Sequence, residues 1–213
     1  MEIAAIHENE SGAEKWGTSF RDAKTGETIS HGDWTLDVGR GLAGDVDPRY
    51  PGAEIFASHE GAKDVHGNVI PVRGGSNFAI WWDGDPLREL LNTNQISKWN
   101  WNTNAIDTIF TMEGCVSNNG TKSTPALSAD ILGDWREEVI ERTEDNAALR
   151  IYTTTIPTDM RMYTLMHDSQ YRVAVAWQNV AYNQPPWPSF FIGDRMAPPP
   201  KPNIVLVGNR AGQ

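Results

Sequence analysis

Short apolar runs separated by polar turns follow one another along most of the chain, and one of these runs recurs. Residues 2–8 read EIAAIHE and residues 54–60 read EIFASHE, so the same segment returns 52 residues later. Glu89 and Glu138 begin two further runs, each a glutamate followed by two apolar residues, after intervals of 35 and 49 residues. Short β segments repeated at such intervals are typical of stacked blades or solenoids.

The apolar runs predict strands that are grouped into sheets. Residues 19–30 predict a hairpin turned at Gly26, where glycine supplies a positive φ. Three later groups are expected to form one blade each, and the last is expected to end in a strand over residues 171–178. The strands predicted for these groups are 42–45, 54–58, 68–72 and 78–82, then 89–92, 95–99 and 107–111, then 128–131, 138–142 and 149–154.

Two segments break this pattern and predict loops. Residues 114–125 read GCVSNNGTKSTP, and residues 179–189 read NVAYNQPPWPS. Both are too rich in turn-forming residues to be strands. Loops of this kind on a rigid scaffold are where binding chemistry is usually found.

Composition supports a folded, β-rich chain and excludes several classes of partner. The chain has 213 residues with nine Trp, 19 Gly and 13 Pro, which suits large apolar side chains on short strands joined by many turns. A formal net charge of -10 argues against a nucleic-acid partner. No apolar run approaches the roughly 18 residues of a membrane span, and no signal peptide is recognisable. The single Cys115 allows no internal disulfide.

Pairs of aspartates precede three of the repeated glutamates. Carboxylates spaced by one or a few residues in a turn converge on a hard cation such as Ca²⁺, with carbonyl oxygens completing the coordination. The alternative is that these aspartates only form turns and that the glutamates are solvated. Three copies favour at least one bound Ca²⁺, and Asp45, Asp83 and Asp130 are expected at equivalent corners of successive sheets. The predicted ligands are Asp45, Asp47 and Glu54, Asp83, Asp85 and Glu89, and Asp130, Asp134 and Glu138.

Three long segments carry a resemblance that extends over essentially the whole chain. They read VGRGLAGDVDPRYPGAEIFA, NNGTKSTPALSADILGDWREEVIER and LRIYTTTIPTDMRMYTLMHDSQYRVAVAWQNVAYNQPPWPSFFIG. Together they resemble the rhamnogalacturonan lyases of polysaccharide lyase family 11. The resemblance implies an all-β fold, an eight-bladed β-propeller that binds Ca²⁺. It implies that residues 1–213 form a partial propeller of about four antiparallel, four-stranded blades, the C-terminal half of a longer lyase domain.

The resemblance also implies a reaction and the residues that take part in it. The family cleaves the bond between rhamnose and galacturonate in the pectin backbone by β-elimination. This reaction requires a cation or an arginine to neutralise the uronate carboxylate and a base to remove the C5 proton. Arg40 and Lys122 match basic groups that line the family's cleft, which makes them the candidate catalytic residues. The candidate sugar-binding residues are Asn119, Gly120, Thr121 and Tyr182.

Each of these residues also has a structural interpretation. Asn119-Gly120 is a strong signal for a bare turn. Lys122 in a loop would ordinarily be solvated, Arg40 would bond to carbonyl groups at a strand edge, and Tyr182 would pack its loop.

We therefore expect a fragment of a Ca²⁺-dependent rhamnogalacturonan lyase that acts on pectic rhamnogalacturonan I outside the cell, with neither nucleic acid nor membrane as a partner. The alternative is a non-catalytic, Ca²⁺-stabilised propeller segment that binds carbohydrate or a protein. Because a partial propeller exposes apolar blade faces, self-association or pairing with the complementary half is expected as well.

Overall fold

Short strands in four antiparallel sheets form most of the regular structure. The computed structural model describes residues 2–8, 15–74, 77–180 and 183–203. Sheet 1 contains β1 (Glu2–Ile6), β2 (Thr18–Asp22) and β3 (Thr28–His31). Sheet 2 contains β4 (Gly41–Gly44), β5 (Glu54–Ala57), β6 (Gly61–Lys63) and β7 (Val69–Ile70) in sequence order.

Sheet 3 has the same order as sheet 2, and sheet 4 differs in one strand. Sheet 3 contains β8 (Phe78–Ile80), β9 (Glu89–Asn92), β10 (Gln95–Asn100) and β11 (Ala105–Thr111). In sheet 4, β14 (Glu138–Thr143) pairs with β15 (Leu149–Tyr152) on one side. On its other side it pairs with β12 (Cys115–Val116) and then β13 (Leu127–Ala129), so the first strand is interrupted by residues 117–126.

The predicted all-β class and the antiparallel, four-stranded sheets are confirmed, with two shifts of strand assignment. Gly26 lies at a φ of 77° in the predicted hairpin. The strand predicted at 78–82 begins sheet 3 instead of ending sheet 2, because Phe78 to Ile80 pair with β9. Sheet 2 still has four strands because it contains β6, which was not predicted. With three residues, β6 is too short to be recognised as an apolar run.

The strand predicted over residues 171–178 is wrong, because this segment belongs to helix α1 (Ser169–Trp177). The side chain of Asp168 accepts a hydrogen bond from the backbone N–H of Tyr171 and caps the helix. Tyr171 and Ala174, three residues apart, are buried on one face. The alternating Val and Ala residues suit a strand, but the cap and the packing of that face select the helix. Within the described residues, no helix is long and apolar enough to cross a membrane.

Apolar clusters fill the spaces between successive sheets. Ala79 of β8 packs with residues of sheet 2 such as Leu42 and Phe56. Its neighbours Phe78 and Ile80 belong to a different cluster, which reaches Val139 of sheet 4. The alternation of side chains along a strand therefore places sheet 3 between two cores, which explains why β8 is buried on both faces.

The same backbone link joins sheet 2 to sheet 3 and sheet 3 to sheet 4. The N–H of Arg88, just before β9, donates to the carbonyl of Asp45, just after β4, at 2.7 Å. The N–H of Glu137, just before β14, donates to the carbonyl of Trp81, just after β8, at 2.8 Å. Successive sheets are therefore related by a repeated contact at the ends of β4 and β8.

The guanidinium of Arg88 is fully buried at one of these links. Its Nη1 lies 3.7 Å from the buried carboxylate of Glu137, and its Nη1 and Nη2 donate to the carbonyls of Ala79 and Pro186. A buried ion that loses its partner is strongly destabilising. The pair should therefore be a point of high sensitivity in the fold.

We predict that Arg88→Met lowers the free energy of unfolding by about 3–5 kcal/mol, because Glu137 is left buried without its cation. For a chain of this size the melting temperature should fall by at least about 6 °C. Arg73→Met, at an exposed arginine, is the matched control. Adding Glu137→Gln to Arg88→Met should recover part of the loss. A melting temperature of the Arg88 variant equal to that of the control would contradict the prediction.

Candidate functional site

The three repeated glutamates of sheets 2 to 4 occupy equivalent positions. Each is buried and pairs with the last residue of the strand before it: Glu54 with Gly44, Glu89 with Ile80, and Glu138 with Ala129. In each case Oε2 accepts hydrogen bonds from two consecutive backbone N–H groups of the intervening turn, at 2.7–3.3 Å. The glutamates therefore close the turns 45–53, 81–88 and 130–137, which we call turns 1, 2 and 3.

The pairing register corrects the expected equivalence of the aspartates. Counted from the last residue of the preceding strand, Asp45 and Asp130 occupy the first turn position. Asp83 occupies the third position, which it shares with Asp47, and Trp81 occupies the first position of turn 2. The three aspartates therefore lie at equivalent corners of successive sheets, as predicted, but Asp83 stands two positions later in its turn than Asp45 and Asp130.

The turns use three acidic positions, and each turn lacks one of them. Asp85 and Asp134 share the fifth position. The missing acid is replaced by Arg49 at the fifth position of turn 1, by Trp81 at the first of turn 2 and by Leu132 at the third of turn 3. Three similar sequence motifs therefore carry three different sets of carboxylates.

In turn 2 a lysine side chain occupies the point where the carboxylates converge. Carboxylate oxygens of Asp83, Asp85 and Glu89 lie within 4.8 Å of one another, a group that could hold a metal ion. The Nζ of Lys98 donates to Asp83, to Asp85 Oδ2 at 2.6 Å and to Glu89 Oε1 at 3.0 Å. Burial lowers the pKa of Lys98, but the three carboxylates outweigh it and raise that pKa above its ordinary value. The structure supplies this site with an internal cation.

In turn 1 two buried carboxylate oxygens have no hydrogen-bond partner among the residues that the structure describes. They are Oδ1 of Asp45 and Oε1 of Glu54. Burial raises the pKa of Asp45 to about 7 and that of Glu54 to about 8, and the charge of Asp45 adds to the rise at Glu54. Asp47 is already satisfied by the guanidinium of Arg49 and by the indole N–H of Trp99. Asp45 and Glu54 therefore fit a cation that would compensate their charge.

In turn 3 the protein itself satisfies the carboxylates. Asp130 accepts from the N–H groups of Gly133 and Leu165 and from the hydroxyl of Thr164. The Oε1 of Glu138 accepts from the hydroxyl of Thr153, and Asp134 pairs with Arg136 at 2.7 Å. These contacts are those of a turn-forming role, and the assignment of metal ligands here stays a prediction.

The candidate catalytic Arg40 lies directly before β4. Its Nη2 donates to the carbonyl of Asn77, directly before β8, at 3.0 Å and to the carbonyl of Asn183 at 2.9 Å. The expected bonding of this guanidinium to carbonyl groups is thus observed. These two hydrogen bonds hold the guanidinium of Arg40 near the beginning of the neighbouring strands β4 and β8.

The candidate loop of sheet 4 is folded by Asn119. The Oδ1 of Asn119 accepts from the backbone N–H groups of Thr121 and Lys122 at 3.1 and 3.0 Å. Asn119, Gly120 and Thr121 are exposed, and Lys122 is partly buried. The loop is therefore a turn that presents its residues outwards. Tyr182 lies outside the described residues.

The structure places the two sets of candidate residues at opposite ends of the same strands. The links from Arg88 to Asp45 and from Glu137 to Trp81 align the final ends of β4, β8 and β13. Arg40 and the loop with Lys122 precede β4 and β13, so they share the starting end. The acidic turns lie at the final end, and the candidate catalytic and metal-binding residues do not form one site.

Lys98 was not recognised from the sequence, although a signal for it exists. β9 and β10 are joined by a two-residue turn, Thr93-Asn94, and their register pairs Ser97 with Leu90. One further step places Lys98 opposite Glu89. A two-residue hairpin prediction would have been enough to find the pair.

A scan against models of protein families matches residues 1–202 to the rhamnogalacturonan lyase family 11, C-terminal domain. The chain belongs to rhamnogalacturonan lyase family 11. It is 55% identical over 207 residues to the rhamnogalacturonan endolyase YesW of Bacillus subtilis (strain 168), covering 96% of this chain and 33% of that protein. It is 45% identical over 229 residues to the rhamnogalacturonan exolyase YesX of the same organism, covering 99% of this chain and 37% of that protein.

The fold of this family 11 chain agrees with that of a solved relative. The crystal structure of rhamnogalacturonan lyase YesW is similar with a TM-score of 0.89 and 54% identity, over 96% of this chain and 35% of that one. The chain spans about a third of the length of the relatives it matches. The predicted family is confirmed.

We predict that Lys98→Met makes the stability of turn 2 dependent on added cations, because three neighbouring carboxylates lose the ammonium group that compensates their charge. The melting temperature without metal should fall by at least about 6 °C, and Ca²⁺ should restore most of it. Lys24→Met, at an exposed lysine of the first hairpin, is the control and should respond to neither change. A variant that is unaffected by Ca²⁺ and as stable as the original protein would contradict the role of Lys98.

Proposed function

We propose that this chain serves in a rhamnogalacturonan lyase that cleaves the rhamnose–galacturonate bond of the pectin backbone by β-elimination. The observation that carries the proposal is the family match over residues 1–202, with Arg40 and the Lys122 loop at the same end of the strands. Rhamnogalacturonan lyase is also the activity that the names of both relatives state.

In this reaction Arg40 binds the galacturonate carboxylate. Its guanidinium is always charged, and a planar fork suits a carboxylate. Neutralising the carboxylate makes the C5 proton more acidic, which lowers the barrier to its removal. The bonds from Nη2 to the carbonyls of Asn77 and Asn183 orient the group before substrate arrives.

Lys122 is the base that takes the C5 proton. Its backbone N–H is held by Asn119 in a turn in which Asn119, Gly120 and Thr121 are exposed and Lys122 is partly buried. A polymer lying across the exposed residues would come next to the side chain of Lys122. Asn119, Gly120 and Thr121 would contact the sugar from this loop, with Tyr182 joining them. The electrons of the C5–H bond form the C4–C5 double bond, the C4–O bond to the leaving sugar breaks, and the leaving oxygen takes a proton from water.

The repeated link between sheets supports a propeller arrangement in this proposal. Sheets 2, 3 and 4 follow one another through equivalent hydrogen bonds, and each has an apolar core on the face that meets its neighbour. Sheets stacked radially in this way bring their first strands together around a common axis. Arg40 and Lys122 would then both border the central cleft.

In the proposed function Ca²⁺ binds at turn 1 only, where Asp45 and Glu54 hold it. The ion would supply positive charge to the one oxygen of each carboxylate that is without a hydrogen-bond partner among the described residues. The carboxylates of turns 2 and 3 have protein partners already. Because turn 1 lies at the end of the strands opposite to Arg40, its cation is structural.

The partner in this proposal is the pectic polysaccharide rhamnogalacturonan I. A polymer of this size does not cross a membrane, which supports an extracellular site of action. The negative net charge of the chain disfavours nucleic acid as a partner.

We predict that the purified protein, mixed with rhamnogalacturonan and Ca²⁺, produces an unsaturated uronate that is detected by its ultraviolet absorbance. Lys122→Ala should lower kcat at least about 100-fold, because loss of a general base typically costs that much. Lys24→Ala is the control and should keep full activity. No absorbance change with the original protein would argue against the lyase. An active Lys122→Ala variant would remove Lys122 from the role of base.

A second prediction concerns turn 1 and pH. Asp45 and Glu54 have folded-state pKa values of about 7 and about 8, above the ordinary 3.8 and 4.5. The folded state therefore keeps protons that the unfolded chain releases, and stability should fall as the pH rises from about 4 to about 8. Ca²⁺ binds the deprotonated carboxylates, so it should raise the melting temperature most at pH 8.

The control for this prediction is the double variant Asp45→Asn, Glu54→Gln. It has no carboxylate at these positions, so its melting temperature should not respond to Ca²⁺. Thermal melts at pH 5 and pH 8, with Ca²⁺ or with a chelator, measure both effects. An equal response to Ca²⁺ in the original protein and the double variant would place the ion elsewhere.

A further inference from the structure

A cleft of about 410 Å³ lies beside the Asn119 loop. Its volume is within the range of sites that bind small molecules, roughly 300–1,000 Å³. Gly120, a candidate sugar contact, forms part of its wall, so the cleft is continuous with the proposed substrate site. The remaining wall comes from the β9–β10 turn, from β12 and from the end of β14, and its residues are Thr93, Asn94, Cys115, Val116, Ser117, Arg142 and Glu144.

Arg142 is held in a fixed orientation in this wall. Its Nη1 donates to Oδ1 of Asn146 at 2.8 Å, and its Nη2 donates to the carbonyl of Ser117 at 3.2 Å. A guanidinium has five N–H donors, so further donors remain for a ligand. The adjacent Glu141 is buried, and burial raises its pKa to about 8. Among the described residues neither oxygen of Glu141 has a hydrogen-bond partner, so this carboxyl does not occupy the donors of Arg142.

Unusual backbone conformations surround the cleft. Thr93 in its wall has a φ of 54°, which is a genuine outlier for a β-branched residue. Asn146, which holds Arg142, has a φ of 58°, and Ser123 in the candidate loop has a φ of 52°. Such conformations concentrate at binding and catalytic sites, where the surrounding structure maintains them. They are an observation independent of the charge of Arg142.

The chemistry of the wall selects a class of ligand. Arg142 requires an anionic partner, and its planar fork matches a carboxylate. Glu144, in the same wall, disfavours a compact inorganic anion but accepts hydrogen bonds from hydroxyl groups. Asn94 adds an amide, and Val116 adds an apolar surface against which a sugar ring can pack. A sugar acid satisfies all of these groups, whereas a neutral sugar leaves the guanidinium without an anion.

We propose that this cleft is a uronate subsite in which Arg142 binds the carboxylate of a galacturonate residue of the polymer. This inference rests on the proposed lyase function and adds a specificity-determining residue to it. Arg40 binds the carboxylate of the residue that reacts. Arg142 binds another galacturonate along the chain and fixes the register of the polymer over the Lys122 loop.

The test is direct binding of galacturonate, galactose and sulfate to the full chain, measured by titration calorimetry. Galactose lacks the carboxylate, and sulfate lacks the hydroxyl groups, so galacturonate should bind most tightly. Arg142→Gln should weaken galacturonate binding by about tenfold to a hundredfold, the effect of a lost hydrogen bond to a charged group, and leave galactose unchanged. Arg172→Gln, at an exposed arginine that also donates to a carbonyl, is the matched control.

Arg142→Lys keeps a positive charge in the wall but loses the planar guanidinium. If Arg142→Gln is unfolded, this variant tests whether Arg142 binds the galacturonate carboxylate. Its galacturonate affinity should lie between those of the original protein and the Arg142→Gln variant. Equal binding of galacturonate by the original protein and either Arg142 variant would overturn the subsite. So would tighter binding of sulfate than of galacturonate.

Lyase activity is measured separately on the same samples, so that the two proposals fail in different ways. Galacturonate binding that depends on Arg142, without any lyase activity, would overturn the proposed function and leave the subsite in place. Lyase activity together with galacturonate binding that does not depend on Arg142 would support the proposed function and overturn the subsite.

Discussion

The buried guanidinium of Arg88 joins parts of the chain that are distant in sequence. It lies between the rings of Trp81 and Trp187, at 3.6 and 4.2 Å from their centroids, and 3.7 Å from the carboxylate of Glu137. Its Nη2 donates to the carbonyl of Pro186. Removing a charge from water is costly, and here the cost is offset by an ion pair, carbonyl groups and two aromatic faces. Sheet 3, sheet 4 and the C-terminal segment therefore depend on one another.

This network also connects the fold to the candidate site. The carboxylate of Glu137 accepts from the hydroxyl of Tyr171 at 2.7 Å, which secures helix α1 against turn 3. The C-terminal segment that carries Pro186 and Trp187 also contains Asn183, whose carbonyl accepts from Arg40. The interaction that anchors the segment thus helps to place the acceptor that orients Arg40. The same segment therefore contacts a guanidinium at the final end of the strands and another at their starting end.

Local patterns in the sequence were sufficient to identify the repeated glutamates. They were not sufficient to identify contacts between distant parts of the chain, such as those of Arg88. The glutamates Glu54, Glu89 and Glu138 could be found because each begins an apolar run, and strand pairing confirmed their equivalence. The role of Arg88 could not be found, because the carbonyl of Pro186 lies 98 residues away and nothing in the local segment PLREL marks the arginine as buried. The helix at 169–177 was missed because its Val residues favour a strand, although its Ala residues and the cap at Asp168 favour a helix.

In the acidic turns, closure of the turn and compensation of the second glutamate oxygen are separate, although the shared sequence motif suggests a single role. In all three, Oε2 of the glutamate accepts the backbone N–H groups that close the turn. The surroundings of the other oxygen, Oε1, differ. In Glu54 it has no partner within the described part of the chain, in Glu89 it accepts from the ammonium of Lys98, and in Glu138 it accepts from a hydroxyl. Because closure uses only Oε2, the way in which Oε1 is compensated can change without loss of the turn. A repeated acidic motif therefore indicates a repeated turn, and whether it binds a cation is decided by what faces the second oxygen.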